Sequence, residues 1–126
     1  MPSLFIALAA INGFIAVGLG AFAAHGLKNR LPEDILAIFQ TGVQYQMYHA
    51  LALFGVGLLA MQLSDSALLR ASGWLFVAGI VIFSGSLYVL SLSGVRWLGA
   101  ITPIGGVAFL IGWALLAFAM LAGRTI

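Results

Sequence analysis

Cysteine is absent from the chain. That excludes a disulfide framework and any thiolate metal site. Charge is also scarce. Five Lys or Arg and three Asp or Glu make up 6% of 126 residues, and the eight lie in the connections or at the ends of the apolar runs. A soluble domain of this size needs far more surface charge, so the composition belongs to the membrane class. A net charge of +2 is too small and too scattered for a nucleic-acid surface. The sequence pI of 9.5 reflects few charges, not a basic patch. Glu33, Asp34 and Asp65 all lie in connections, so no carboxylate pair falls within an apolar run. No nucleotide loop, serine elbow or HExxH motif occurs. Hydrolysis is therefore not expected, and an enzyme of another kind, or a transporter acting as an oligomer, ranks behind the two readings given below.

What the chain has is apolar length. Hydrophobic residues make up 63%, and mean hydropathy is +1.19. Four runs, about 4–24, 43–63, 69–92 and 103–122, match the roughly 20 helical residues needed to cross a bilayer core. A closed barrel has no room in so short a chain, which leaves helices to satisfy the backbone in lipid. Between the first two runs, Pro32 followed by Glu33 and Asp34 suits a helix start. Ile35, Leu36, Ile38 and Phe39 then recur at helical spacing. The pattern predicts a short interfacial helix over 32–40, with a bend near Gly42 or a protruding end. Ala16, Gly20 and Ala24 form a small-residue ladder on the first span, as do Gly105, Ala108, Gly112 and Ala119 on the fourth. Thr102 and Pro103 read as N-cap and first helical residue. The first span has no basic residue before it, so it reads as an uncleaved span rather than a signal peptide. Arg70 and Arg124 on one side face Lys28, Arg30 and Arg96 on the other, which leaves the orientation open.

Polar side chains that enter hydrocarbon usually face protein. The stretch 41–53, TGVQYQMYHALAL, places Gln44, Tyr45, Tyr48 and His49 at the start of the second run. Tyr45 and His49 share a face there, with Gln44 and Tyr48 beside it. Met47, Leu51, Phe54 and Leu58 form the opposite, lipid-suited face. Asn12 on the first span, with Ser84 and Tyr88 on the third, completes the inward set. His25 ends the first span and His49 begins the second, so a hairpin puts both in one leaflet. Two function classes follow. In one, these groups bond to one another and fix helix packing in a non-enzymatic accessory subunit or self-associating scaffold. In the other, His25, His49 and the neighbouring polar groups bind a small ligand such as a lipid, a quinone or haem.

Four motifs stand in order along nearly the whole chain: GAFAAHGL at 20–27, YQMYHALAL at 45–53, FSGSLY at 83–88 and TPIGG at 102–106. Together they resemble the YgdD-like family of small bacterial inner-membrane proteins, a domain of unknown function with a short eukaryotic relative. The chain departs from that pattern at Ala23, where Gly is frequent. The resemblance implies four helical spans, an uncleaved N-terminus and no assigned catalytic or cofactor residues.

The expectation is an all-α membrane protein, one domain over 1–126. Four transmembrane helices form a compact bundle, with a short interfacial helix after the first span. No cofactor is expected. The partners expected are membrane lipids, and a second copy or a membrane complex, in the bacterial inner membrane.

Overall fold

Each of the four apolar runs folds as helix, and no strand occurs among the described residues. The computed structural model describes residues 2–63 and 66–123. Asp65 and Arg124, counted above among the connecting charges, lie outside them. Helix α1 spans Pro2–Phe22 and runs on through a π-helical turn, Ala23–Leu27. Helix α2 spans Glu33–Gln62. Helix α3, Ala67–Gly79, passes through a second π turn, Ile80–Ser84, into α4, Gly85–Ser93, so this third rod is continuous. A 3-10 turn, Arg96–Ala100, leads into α5, Thr102–Gly123.

The ends follow local chemistry. Ser66 caps α3 by accepting the Leu69 N–H at 3.2 Å. Helix α4 stops at Gly94, whose φ of 76° is the left-handed conformation that glycine adopts without strain. Thr102 does not cap α5 with its side chain. Its hydroxyl instead meets Ser86 Oγ at 2.6 Å, tying α5 to α4.

The four rods alternate in direction. Gly20 faces Val43 and Gly57 faces Ile6, so α1 and α2 are antiparallel. The Ser84 hydroxyl donates to the Gly42 carbonyl at 2.7 Å, and the Ser72 hydroxyl donates to the Gly112 carbonyl at 2.8 Å. With Phe76 beside His49 and Phe83 against Gly105, these bonds set the third rod antiparallel to both α2 and α5. The close approach is made by aromatic rings seated on glycines. Phe5 lies over Gly73, Phe109 over Gly79, Phe76 over Gly112 and Tyr88 over Gly42. A Cβ at Gly73 would stand 2.6 Å from Phe5 Cζ, and one at Gly112 would stand 2.8 Å from Phe76 Cε1. Small residues on one helix therefore receive large rings from the next, and dispersion between them draws the rods together. The main core gathers Phe5, Ala9, Leu53, Val56, Leu69, Phe76, Ile80 and Phe109. A smaller one, Ala23, Leu27 and Phe39, closes the end near the π turn of the first rod.

Large apolar side chains also cover the outside. Phe14 is 81% exposed and Leu110 70%. Three stretches, Pro2–Leu27, Ala67–Ser93 and Arg96–Ala122, are long and apolar enough to cross a membrane by length and composition. Helix α2 is longer, at 30 residues, but Gln44, Gln46 and His49 lower the hydropathy of its apolar part, and it is not among the three.

Two expectations are corrected. There is no separate interfacial helix over 32–40, because α2 is continuous from Glu33 through Gly42. Glycine lowers helix propensity by about 1 kcal/mol. Packing outweighs that here, since the bare Gly42 backbone seats the Tyr88 ring and its carbonyl accepts from Ser84. The small-residue ladder of the first span also shifts. Ala9, Ala16 and Ala23 are buried, whereas Ala24 is exposed. At 100° per residue Ala9, Ala16, Ala23 and Leu27 stay on one side, whereas Ala24 is turned about 100° away from Ala23. On α5 the expected stripe holds at Gly105, Gly112 and Ala119, all buried.

Candidate functional site: two polar chains between the helices

The inward face of α2 runs Phe39, Gly42, Gln46, His49, Leu53 and Val56, at alternating spacings of three and four. Gln46 and His49 are its polar members, and each anchors a separate chain of bonds.

Gln46 is 4% exposed. Its Nε2 donates to Asn12 Oδ1 at 3.0 Å, and its Oε1 accepts the Tyr88 hydroxyl at 2.6 Å. Asn12 Nδ2 in turn donates to the Leu8 carbonyl at 2.8 Å. The chain Tyr88–Gln46–Asn12–Leu8 thus joins α4, α2 and α1. A primary amide offers both a donor and an acceptor, which is why Gln relays the chain where an ionised carboxylate, an acceptor only, would break it.

His49 has two partners. The indole Nε1–H of Trp113 can only donate, and it meets His49 Nε2 at 3.0 Å. Nε2 must therefore accept, so the proton resides on Nδ1 and is donated to the Tyr45 carbonyl at 2.8 Å. Around the imidazole stand rings from three rods. Phe109 stacks on it with centroids 3.5 Å apart and planes 9° apart. Phe76 lies at 5.5 Å and Trp113 at 5.9 Å. Tyr45 extends the cluster outward, against Phe83 at 4.7 Å.

The expected site residues divide. Asn12, His49, Ser84 and Tyr88 are drawn into interhelical bonds or ring contacts. Tyr45 joins the aromatic cluster at the edge. Gln44 and Tyr48 turn outward, with Tyr48 54% exposed. Their i, i+4 spacing was right, but the buried stripe is centred on 42, 46, 49 and 53, which puts 44 and 48 on the far side. His25 and His49 are not brought together. Phe22 packs edge-on against Phe39 at 6.5 Å, so His25 lies near the start of α2. His49 is ten residues beyond Phe39, about 15 Å along the axis at 1.5 Å per residue. His25 is exposed. The expectation of one shared leaflet site rested on starting the second helix at 43. Extending it back to Glu33 puts His49 near its middle.

Gln46, Phe109 and Trp113 were not singled out from the sequence. The heptad-like run 39, 42, 46, 49, 53, 56 was the available signal for Gln46. Nothing local marks Trp113, whose role depends on α5 lying beside α2.

Gln46→Leu removes two bonds and strands Asn12 Oδ1 and the Tyr88 hydroxyl. Interhelical bonds in membranes are individually modest, ~0.6 kcal/mol on average. Stranded buried partners add to that, so a loss of about 1–3 kcal/mol is expected. Tyr88→Phe should lose less, because only one acceptor is stranded. Thermal unfolding in detergent checks the order, and equal losses would contradict the relay.

Among the described residues no group of three or more His, Cys, Asp or Glu is placed to hold a metal ion. Both His49 nitrogens are engaged, so a metal or haem iron there would have to displace the Trp113 N–H or the Tyr45 carbonyl.

Comparison with known proteins places the chain among membrane proteins. It is 56% identical to the UPF0382 membrane protein YwdK of Bacillus subtilis, over 91% of this chain and 94% of that one. A UPF0382 membrane protein of Staphylococcus epidermidis is 51% identical over 93% and 94%. One from Haemophilus influenzae is 43% identical over the full length of both. No solved structure matches. The motifs pointed to an uncharacterised membrane family, and that level of the expectation holds. The label YgdD-like is not the description that the matching model carries. Residues 19–106 match the model for proteins of unknown function DUF423, and the chain belongs to that family.

Proposed function

We propose that the protein is a four-span integral protein of the bacterial inner membrane, one domain over 1–126. In this reading it is non-enzymatic and serves as an accessory subunit or a self-associating scaffold. The observation that carries it is the closure of both polar chains. Each side-chain nitrogen and oxygen of the Tyr88–Gln46–Asn12 relay makes a hydrogen bond to another side chain or to a carbonyl. His49 is held in the same way between Trp113 and Tyr45. Groups arranged like this fix the register of helices and leave no free nucleophile, base or ligand atom. For α2 as a fourth span, the support is its place. It lies between α1 and the third rod and pairs with both over its length, so it shares their depth. A helical chain fits the inner membrane, since bacterial outer-membrane proteins are typically barrels.

The rival reading, a lipid, quinone or haem bound at His25 and His49, needs those residues together and a free imidazole nitrogen. Native mass spectrometry of gently solubilised protein, with an absorption spectrum of the same sample, separates the two. The expected result is a colourless chain or assembly with no stoichiometric small molecule. A Soret band, or a bound quinone or lipid at one per chain that survives mild activation, would overturn the structural reading.

A further inference from the structure

The imidazole of His49 can hold a single proton while α5 is in place. Its Nδ1–H is committed to the Tyr45 carbonyl at 2.8 Å, and its Nε2 lone pair to the indole N–H of Trp113 at 3.0 Å. A second proton could go only to Nε2, the atom that the indole occupies. Two N–H groups cannot bond to each other, and an indole nitrogen offers no lone pair to accept with. Protonation of His49 and the His49–Trp113 bond therefore exclude each other.

The bond also has a particular place. Ser72–Gly112 and Ser86–Thr102 hold α5 to the third rod, and Ser84–Gly42 and Tyr88–Gln46 hold α2 to it. His49–Trp113 joins α2 directly to α5. Its two partners differ in freedom. His49 is buried and stacked face to face on Phe109, whereas Trp113 is 45% exposed at the rim, so the indole is the one that can leave. Among the described residues no charged group faces the imidazole. Phe76 meets it from the third rod, Phe109 and Trp113 from α5, and Tyr45 is the one titratable side chain against it on its own helix. His25, on the first rod, is not brought near it.

We propose that the His49–Trp113 pair is an acid-released latch between α2 and α5. A proton is a ligand of the open form alone, because only there is the Nε2 lone pair free, so acidity shifts the population toward it. Once the freed imidazole is largely protonated, each further pH unit favours the open form about tenfold. On release the indole turns out into the lipid. The imidazolium keeps its stack on Phe109, whose ring face attracts a cation. The bonds of α5 to the third rod do not involve His49, so the change is confined to the seam between α2 and α5. The inference goes beyond the structural role proposed above, because it makes one of the two polar chains reversible.

Trp113 is its own reporter. Trp74→Phe and Trp97→Phe leave it as the single indole. This parent is placed in liposomes whose acyl chains carry bromine, with the same buffer inside and out. Lowering the pH from about 8 to about 4 should raise bromine quenching at least about twofold, reversibly and with the helix signal in circular dichroism unchanged. His49→Gln keeps an acceptor and takes no proton, so its quenching should stay low at both pH values. His25→Gln, at the chain's other histidine, should respond like the parent. In the parent itself, the ring-nitrogen NMR shifts of His49 should move to the imidazolium position together with the quenching. A flat response of the parent overturns the proposal. So does a response that survives His49→Gln, one abolished by His25→Gln, one accompanied by loss of helix, or one during which the His49 ring stays neutral.

Discussion

Gly105→Ala is expected to destabilise the protein by about 3 kcal/mol or more, at the upper end of what overpacking costs. Position 105 lies against the π turn of the third rod. A Cβ built there would stand 2.8 Å from both the Cα and the Cβ of Phe83. At most crowded glycines the neighbour is the tip of a ring, which can turn away. Here it is main chain within a helix, fixed on its other side by the Ser84 bond to Gly42. Relief would require α5 and the third rod to separate, and that would also strain the Ser86–Thr102 and Ser72–Gly112 contacts. Gly13→Ala is the control. Nothing lies within 4 Å of a Cβ at that position, in the middle of α1. Alanine there should stabilise by roughly 0.5–1 kcal/mol through helix propensity. Unfolding of both variants in detergent checks the pair. A tolerated Gly105→Ala would mean that the rods are further apart than described.

The second large effect is at His49. His49→Ala should cost about 3–5 kcal/mol, from two sources. It empties the space between Phe109, Phe76 and Trp113, where the ring makes its closest stack at 3.5 Å. It also leaves the Trp113 N–H without its acceptor. The two parts separate experimentally. His49→Phe restores a ring to the stack but strands the indole, so it should lose about 1–3 kcal/mol. Combining His49→Phe with Trp113→Phe removes donor and acceptor together. The double variant should lose less than the sum of the singles, since apolar pairs can replace a bonded pair at little cost. Strict additivity in that cycle would show that the Trp113–His49 bond contributes nothing.

The sequence alone determined the helical class, the membrane setting and three of the four helices to within a few residues. Those features depend on composition and on apolar length, which are local properties. It also determined which face of α5 packs, because Gly105, Gly112 and Ala119 lie on one stripe whatever their partner. It placed Asn12, Ser84 and Tyr88 inward, since a polar group in an apolar run has few other options.

Only the tertiary structure decided which of two glutamines, two positions apart, turns inward. Gln44 and Gln46 have the same chemistry, and the choice depends on the phase of α2. That phase is set at Gly42, where the Tyr88 ring and the Ser84 hydroxyl dock from a helix forty residues away. The same docking keeps α2 helical through a glycine that local propensity would read as a break. The partner of His49 was equally hidden. Its acceptor nitrogen is matched by an indole 64 residues on, and the match exists only because α5 runs beside α2. Local pattern fixes what a helix is made of, whereas the contacts of distant helices fix its rotation, and in this protein the rotation of α2 decides which polar groups are architecture and which face outward.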